Sequence, residues 1–387
     1  MRAVSCKLTG SNLGHPSMLN PMVSVIIAPD SFKGTATAQE AARYLGEGVR
    51  SVIRDAQITL APMADGGEGT AATFAGQQIT LPTVDAAGRL TDATYTFDAE
   101  ASTAYIDVAA ASGLPAVADD PVPLTGDTYG TGVLIADAQT RGAERIVLGL
   151  GGSATVDAGT GILVALGATP LNSQGYALPK GGGQLGELAS VDTAQLNIPA
   201  AAVEWVLLTD VTAPVVGPDG AAAVFGPQKG ATPDEVMLLD AALTHACDIF
   251  NVDPLTPGYG AAGAIPVAIH WLSTLLHGNP SKVHVLPGAQ VVADALGLPE
   301  SIQQAGLVIT GEGAFDDQSL TGKVVGTIAE LVEGTDATLA IAAGRMDLDP
   351  GDGVIAAELG DGDVDKQLFQ AGAAIAADYL RISTAQG

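Results

Sequence analysis

Four segments of this 387-residue chain place glycines beside an acid or a lysine directly after an apolar run: PDSFKG (29–34), ADGGEGT (64–70), GLGGSATVD (149–157) and TGEGAFDD (310–317). Glycines let the backbone turn tightly and aim N–H groups at an anion, most effectively at the start of a helix. Acids next to such an anion seat repel the ligand unless a metal ion or a transferred proton lies between them. Phosphate together with Mg²⁺ meets both demands. Any one segment is equally well explained by acids that end strands and cap helices. Four of them together point to chemistry.

Lysine is scarce, with seven residues in the chain, and three of the seven adjoin glycines at helix starts: Lys33 in SFKGT, Lys229 in FGPQKGAT and Lys323 in LTGKVV. There an ammonium and a helix dipole both favour an anion. Lys229 is expected to be exposed and to add little to packing. Lys180, in PKGGG, follows no strand and reads as an ordinary surface lysine. Among the acids, Asp65 and Glu68 lie among Gly66, Gly67 and Gly69, and Asp210 ends the apolar run VEWVLLTD (203–210). Asp65 and Asp210 are candidates for Mg²⁺ ligation or for accepting the proton of an attacking hydroxyl, as phosphoryl transfer requires. Asp316 and Asp317 follow the GEG turn and are equally well read as helix caps. None of the five histidines has a carboxylate or cysteine at a useful metal-binding spacing.

Other chemistries lack their signatures. GLGGSA (149–154) fits a dinucleotide-binding pattern after a strand, but no acid follows near the required distance in ALGATPLNSQGYAL (165–178). There is no P-loop, no zinc-protease helix motif and no serine-nucleophile elbow. Lys+Arg is 16 against Asp+Glu 43, a formal net charge of −27 that repels nucleic acid and anionic membranes and suits a high-salt interior. With 47% apolar and 15% charged residues the chain is not a disordered one. Cys6 and Cys247 form no paired motif, and the N-terminus lacks a signal-peptide apolar run. The longest greasy stretch, 261–276, is short for a membrane span and contains Pro266 and His270. A soluble, cytoplasmic protein is expected.

The elements that must hold these loops alternate in period. VSVIIA (23–28) is a buried parallel-type strand, followed by a helix whose Thr37 and Glu40 have capping-box spacing and whose Ala41, Leu45 and Val49 share a face. QITLAP (57–62) is a second strand. Strands over 79–86, 93–99 and 103–110 suggest an antiparallel addition, and 172–192 reads as an exposed, turn-rich loop. Helices are expected at 128–143, 233–248, 289–297, 320–334 and 366–382, with strands at 145–152, 203–211, 305–312 and 338–344. Strand, glycine loop, helix, repeated, is the pattern of a layered α/β fold with ligands at the carboxyl ends of strands.

The motifs APDSFKGT (28–35), PMADGGEGT (62–70), TYGTG (128–132), GLGGSATVDAGTG (149–161), TDVTAPVVGPDGAAAVFGPQKGAT (209–232) and VITGEGAFDDQSLTGKVVG (308–326) resemble, in order, those of bacterial glycerate kinases of the type without P-loop or sugar-kinase signatures. The likeness runs from about Met22 to about Leu380. It implies two α/β/α domains: a discontinuous one over 22–62 and 296–387, and a Rossmann-like or flavodoxin-like one inserted at 63–295, with the active site between them. Residues 1–21 match nothing and read as a disordered extension.

The resemblance also implies ATP-dependent phosphorylation of D-glycerate with Mg²⁺, at the 2-hydroxyl in preference to the 3-hydroxyl. Another small hydroxy acid as substrate, or a nucleotide- or anion-binding regulatory protein without turnover, are the alternatives. On this resemblance Asp30, Ser31 and Lys33 occupy the first motif, and Asp65, Gly66, Gly67 and Glu68 the second. Gly151, Gly152 and Ser153 form the central glycine loop, Asp210 and Lys229 the acid and lysine segments, and Glu312 and Lys323 the last motif. Asp65, Asp210, Lys229 and Lys33 are the implied catalytic residues. Val156, Ala213 and Ala314 depart from the family pattern, each replacing a polar side chain.

Overall fold

A computed structural model describes residues 23–32, 34–317, 319–320 and 322–386, the side chains of 385 and 386 excepted. The expected extension over 1–21 and the candidate Lys33 lie outside the described residues. Among these, thirteen strands occur: β1 (Ser24–Ile27), β2 (Gln57–Leu60), β3 (Gln77–Val84), β4 (Leu90–Asp98), β5 (Thr103–Asp107), β6 (Arg145–Gly149), β7 (Thr169–Asn172), β8 (Leu188–Asp192), β9 (Glu204–Leu208), β10 (Val283–Leu286), β11 (Leu307–Glu312), β12 (Thr338–Ala343) and β13 (Ile355–Glu358).

The two ends of the chain build one sheet together. Its order is β13-β12-β11-β1-β2, with every pair parallel. Parallel sheets need both faces covered, and the apolar runs of β1 and β11 meet that need. On one face, Ala41, Leu45 and Val49 of helix Ala38–Val52 pack with Val25, Ile27 and the C-terminal helix Val364–Gln386. The expected capping box closes the first helix: Thr37 Oγ1 accepts the Glu40 N–H at 3.2 Å, and Glu40 Oε2 accepts the Thr37 N–H at 2.9 Å. The opposite face is covered by helices Gly288–Ala295, Leu298–Ile302 and Val324–Val332 over Ile26 and Val308. Helix Gly288–Ala295 therefore packs with the terminal sheet, so the chain crosses back before Gly288 rather than at 295.

The middle of the chain forms a mixed sheet, β10-β9-β6-β5-β4-β3, with β5, β6, β9 and β10 parallel and β4 and β3 added antiparallel. Trp205, fully buried, anchors its core beneath helices Tyr129–Thr140, Thr160–Ala165, Pro233–Phe250 and Pro266–His277. The stretch 172–192, read as an exposed, turn-rich loop, is exposed at 173–177 and 179–180 but carries a short helical turn and β8 beyond them. Leu185 and Leu188 are buried there, where the short helical turn and β8 pack on helix Pro233–Phe250. The strand expected over 103–110 ends at Asp107, where helix Val108–Ser112 begins. No helix among the described residues is long and apolar enough to cross a membrane.

Phe32 anchors the first glycine-bearing loop. It is 2% exposed in the core of the terminal sheet, and its backbone exchanges hydrogen bonds with Ala36 at 2.8 and 3.0 Å. Phe32→Ala should lower the unfolding free energy by about 3–5 kcal/mol in urea titration.

Candidate active site

Counted along the chain, the terminal sheet runs 2-1-3-4-5, so its connections diverge on either side of the β1–β11 boundary. That divergence opens a crevice at the carboxyl ends of these two strands, where open α/β sheets bind ligands. Asp30 and Glu312 stand at its lips. The ladder continues past the end of β1, with Asp30 N–H donating to Gly311 O at 2.8 Å, and Asp30 Oδ1 accepts the Ser31 N–H at 2.6 Å. Glu312 ends β11, and Lys323 lies at the start of helix Val324–Val332.

The middle sheet supplies the other wall. The segment after β2 is held to β1 by Met63 N–H on Pro29 O at 2.9 Å, and to the end of β6 by Gly151 N–H on Gly66 O at 2.8 Å. Gly66 has φ +94°, and a Cβ there would meet Leu208 O at 2.8 Å; one on Gly151 would meet the Gly67 Cα at 2.5 Å. Only glycines permit the two loops to lie backbone to backbone. Asp65 Oδ1 accepts the Gly67 N–H at 3.0 Å, and Glu68 beside it is exposed.

Asp210 follows β9, and its Oδ1 accepts the Gly288 N–H at 2.8 Å at the start of a helix that belongs to the terminal sheet. Its Oδ2 and the Oε1 of Glu312 are buried with no hydrogen-bond partner among the described residues. Burial first, then the charges of Asp65 and Asp30, push the Asp210 carboxyl up to about 7. Burial likewise raises Glu312, helped by Asp316 and Asp65 and opposed by the Ser319 hydroxyl and Lys323. A Cβ on Gly322 would lie 3.9 Å from Asp210, so the loop bearing Lys323 closes against this acid. Asp30, Asp65, Asp210, Glu312 and the Lys323 segment are thus brought together.

No three acids among the described residues stand ready-made as a metal site. Mg²⁺ keeps several waters and takes one or two carboxylates plus phosphate oxygens. The orphaned Oδ2 of Asp210, within reach of the Asp65 charge, fits that ion.

Lys229 sits elsewhere than expected. It is 3% exposed, and its ammonium donates to Ser153 Oγ at 3.0 Å and Thr155 O at 2.6 Å beneath the glycine loop. Burial lowers it to about 7, partly offset by Asp157. Asp157, wholly buried, accepts from the N–H groups of Thr128, Gly159 and Gly161 and from the Thr128 hydroxyl. Lys229 is therefore an internal brace of the segment 151–157, not a surface lysine. The glycines that flank it mark the tight turn that buries it. Lys180 is largely exposed, 3.7 Å from Asp127.

Asp107 was missed. It ends β5 and accepts the N–H groups of Gly69 and Ala71, both at 2.9 Å. An acid ending TAYID was the available signal, but it had no glycine neighbour to mark it.

Residues 25–358 match the model of the glycerate kinase family. The chain belongs to the glycerate kinase family. It is 39% identical to a glycerate kinase of Halalkalibacterium halodurans over 78% of this chain and 80% of that one. Identity is also 39% to the glycerate 2-kinase of Escherichia coli, again over 78% of this chain and 80% of the relative. A Salmonella typhimurium protein whose crystal structure carries the name glycerate kinase 2 superposes with a TM-score of 0.77 at 34% identity, covering 94% of this chain and 98% of that one.

The acid-rich wall of this family member has a consequence for stability. Asp107 and Asp210 are raised to about 7 and Asp127 to about 6, in each case mainly by burial. Between the ordinary carboxylate range and these values the folded state holds more protons than the unfolded one, so stability rises as pH falls through them. Lys229 acts in the opposite sense only above about 7. Without ligands, the thermal midpoint should be higher at pH 5.5 than at pH 7.5, and Asp210→Asn should flatten that difference in differential scanning calorimetry.

Proposed function

We propose that this protein transfers the γ-phosphate of ATP to the 2-hydroxyl of D-glycerate, giving 2-phosphoglycerate and ADP. The observation that carries the reading is the pair of buried oxygens without a hydrogen-bond partner among the described residues, on Asp210 and Glu312, in two carboxyls that both feel the charge of Asp65. The relatives named glycerate kinase and glycerate 2-kinase support the substrate and the choice of hydroxyl. Two lobes, one on each sheet, would form the cleft, with closure excluding water that would otherwise hydrolyse ATP.

Asp65 and Asp210 would hold Mg²⁺, which would supply positive charge against the phosphates. Asp210 would also accept the proton of the attacking hydroxyl, on the Oδ2 that has no hydrogen-bond partner among the described residues. The N–H groups of Gly66 and Gly152 and the Lys323 and Lys33 ammoniums would stabilise the transferring phosphoryl group, while the Gly67 and Gly151 amides hold the loop itself. Asp30, Ser31, Glu68, Ser153 and Glu312 would line the substrates, and Lys229 would keep Ser153 in place.

Asp210→Asn preserves shape and removes charge. Turnover should fall by roughly 10²-fold or more with the fold retained, and phosphorus NMR of the wild-type product should give the 2-phosphoglycerate resonance. Normal turnover in a folded Asp210→Asn variant would remove this residue from the chemistry, and a 3-phosphoglycerate product would reverse the choice of hydroxyl. Lys229→Ala should lower the thermal midpoint as well as turnover, because it strips a buried donor from Ser153 and Thr155.

A further inference from the structure

The carboxylate of Asp107 has no part in the transfer chemistry above, yet it is tied to the segment that supplies much of it. It is 7% exposed, with Oδ2 accepting the Gly69 N–H and Oδ1 the Ala71 N–H, both at 2.9 Å. These two amides close the loop of Asp65, Gly66, Gly67 and Glu68. The near end of that loop is already fixed by Gly151 N–H on Gly66 O at 2.8 Å. One side chain at the end of β5 therefore fixes the far end of a loop that leaves the other sheet from β2.

The packing leaves no slack. A Cβ on Gly149, the last residue of β6, would come within 3.0 Å of Asp107 Oδ1 and 2.9 Å of Gly66 O. Burial pushes the Asp107 carboxyl up to about 7; the two N–H bonds offset part of that, and Glu68 adds to it. A carboxylate in such surroundings costs stability that an apolar residue of similar size would not. In return it makes two charge-assisted bonds to backbone, stronger than those of an amide.

We propose that Asp107 is a positioning residue of the transfer site, setting the Asp65–Glu68 loop so that the Asp65 carboxylate and the Gly66 amide meet the nucleotide and its cation. The proposal rests on the kinase reading above. Residues that orient a reacting group from behind matter because a displacement of about 1 Å can cost roughly 10²-fold in rate.

Asp107→Asn keeps the shape but turns an N–H towards one of the two backbone donors. Steady-state kinetics should show kcat lowered by about 10–100-fold, a higher half-saturating Mg²⁺ concentration, and partial recovery in excess Mg²⁺. A merely structural role would move neither of the last two. Gly149→Ala, which displaces carboxylate and loop without changing charge, should shift kcat and the Mg²⁺ requirement in the same direction, and it decides the matter if Asp107→Asn does not fold. Unchanged kcat and Mg²⁺ requirement in the folded variants would overturn the proposal, as would a loss confined to the thermal midpoint. Amide hydrogen exchange at Gly69 and Ala71 separates this from the kinase reading. Faster exchange in Asp107→Asn supports the clamp even if the wild type does not phosphorylate glycerate, and unchanged exchange refutes it.

Discussion

The organising constraint is repulsion between carboxylates that the fold holds together. Asp30, Asp65, Asp210 and Glu312 come from both sheets, and two of them keep a bare buried oxygen: Oδ2 of Asp210, whose Oδ1 accepts the Gly288 N–H, and Oε1 of Glu312. Burial first, and then neighbouring charges of the same sign, raise the Asp210 and Glu312 carboxyls, and holding such charges together costs folding energy. The crossing of the chain between sheets, the glycine contacts that bring the loops together and the buried braces behind them all work against that repulsion. A site built at such cost is complete only with a cation and an anion between its walls.

The braces share one form. Asp107 holds the loop after β2, Asp157 gathers Thr128, Gly159 and Gly161, and Lys229 holds Ser153 and Thr155. Each is a charged side chain taken out of water and spent on backbone or hydroxyl groups. Burial dominates the pKa shift of all three. Backbone in irregular loops has few partners of its own, and a charged group can satisfy two or three loop donors or acceptors at once. Asp210 and Glu312, which face the crevice, differ in each having an oxygen left over.

Much of this was legible in the residues. The buried runs VSVII and LVITG predict parallel strands, the Thr37–Glu40 spacing predicts the cap that forms, and glycine-acid clusters after strands mark the loops that converge. Three features were not. Lys229 among glycines looks like an exposed anion seat, because sequence spacing cannot tell a turn that points outward from one that points into a core. Asp107 sits next to no glycine, and its partners lie 36 and 38 residues earlier. The return of the chain before Gly288 depends on which sheet Ala289 and Val292 reach, and their helical pattern fits either sheet.

Calorimetric titration with a non-hydrolysable ATP analogue, in excess Mg²⁺ and then in excess chelator, tests most directly whether the crevice is unfinished without a cation. The repulsion among Asp30, Asp65, Asp210 and Glu312 predicts binding tighter by roughly tenfold or more with Mg²⁺, about 1.4 kcal/mol. Equal affinity in chelator would contradict it, because the four carboxylates would then have to face a polyphosphate with no metal ion between them.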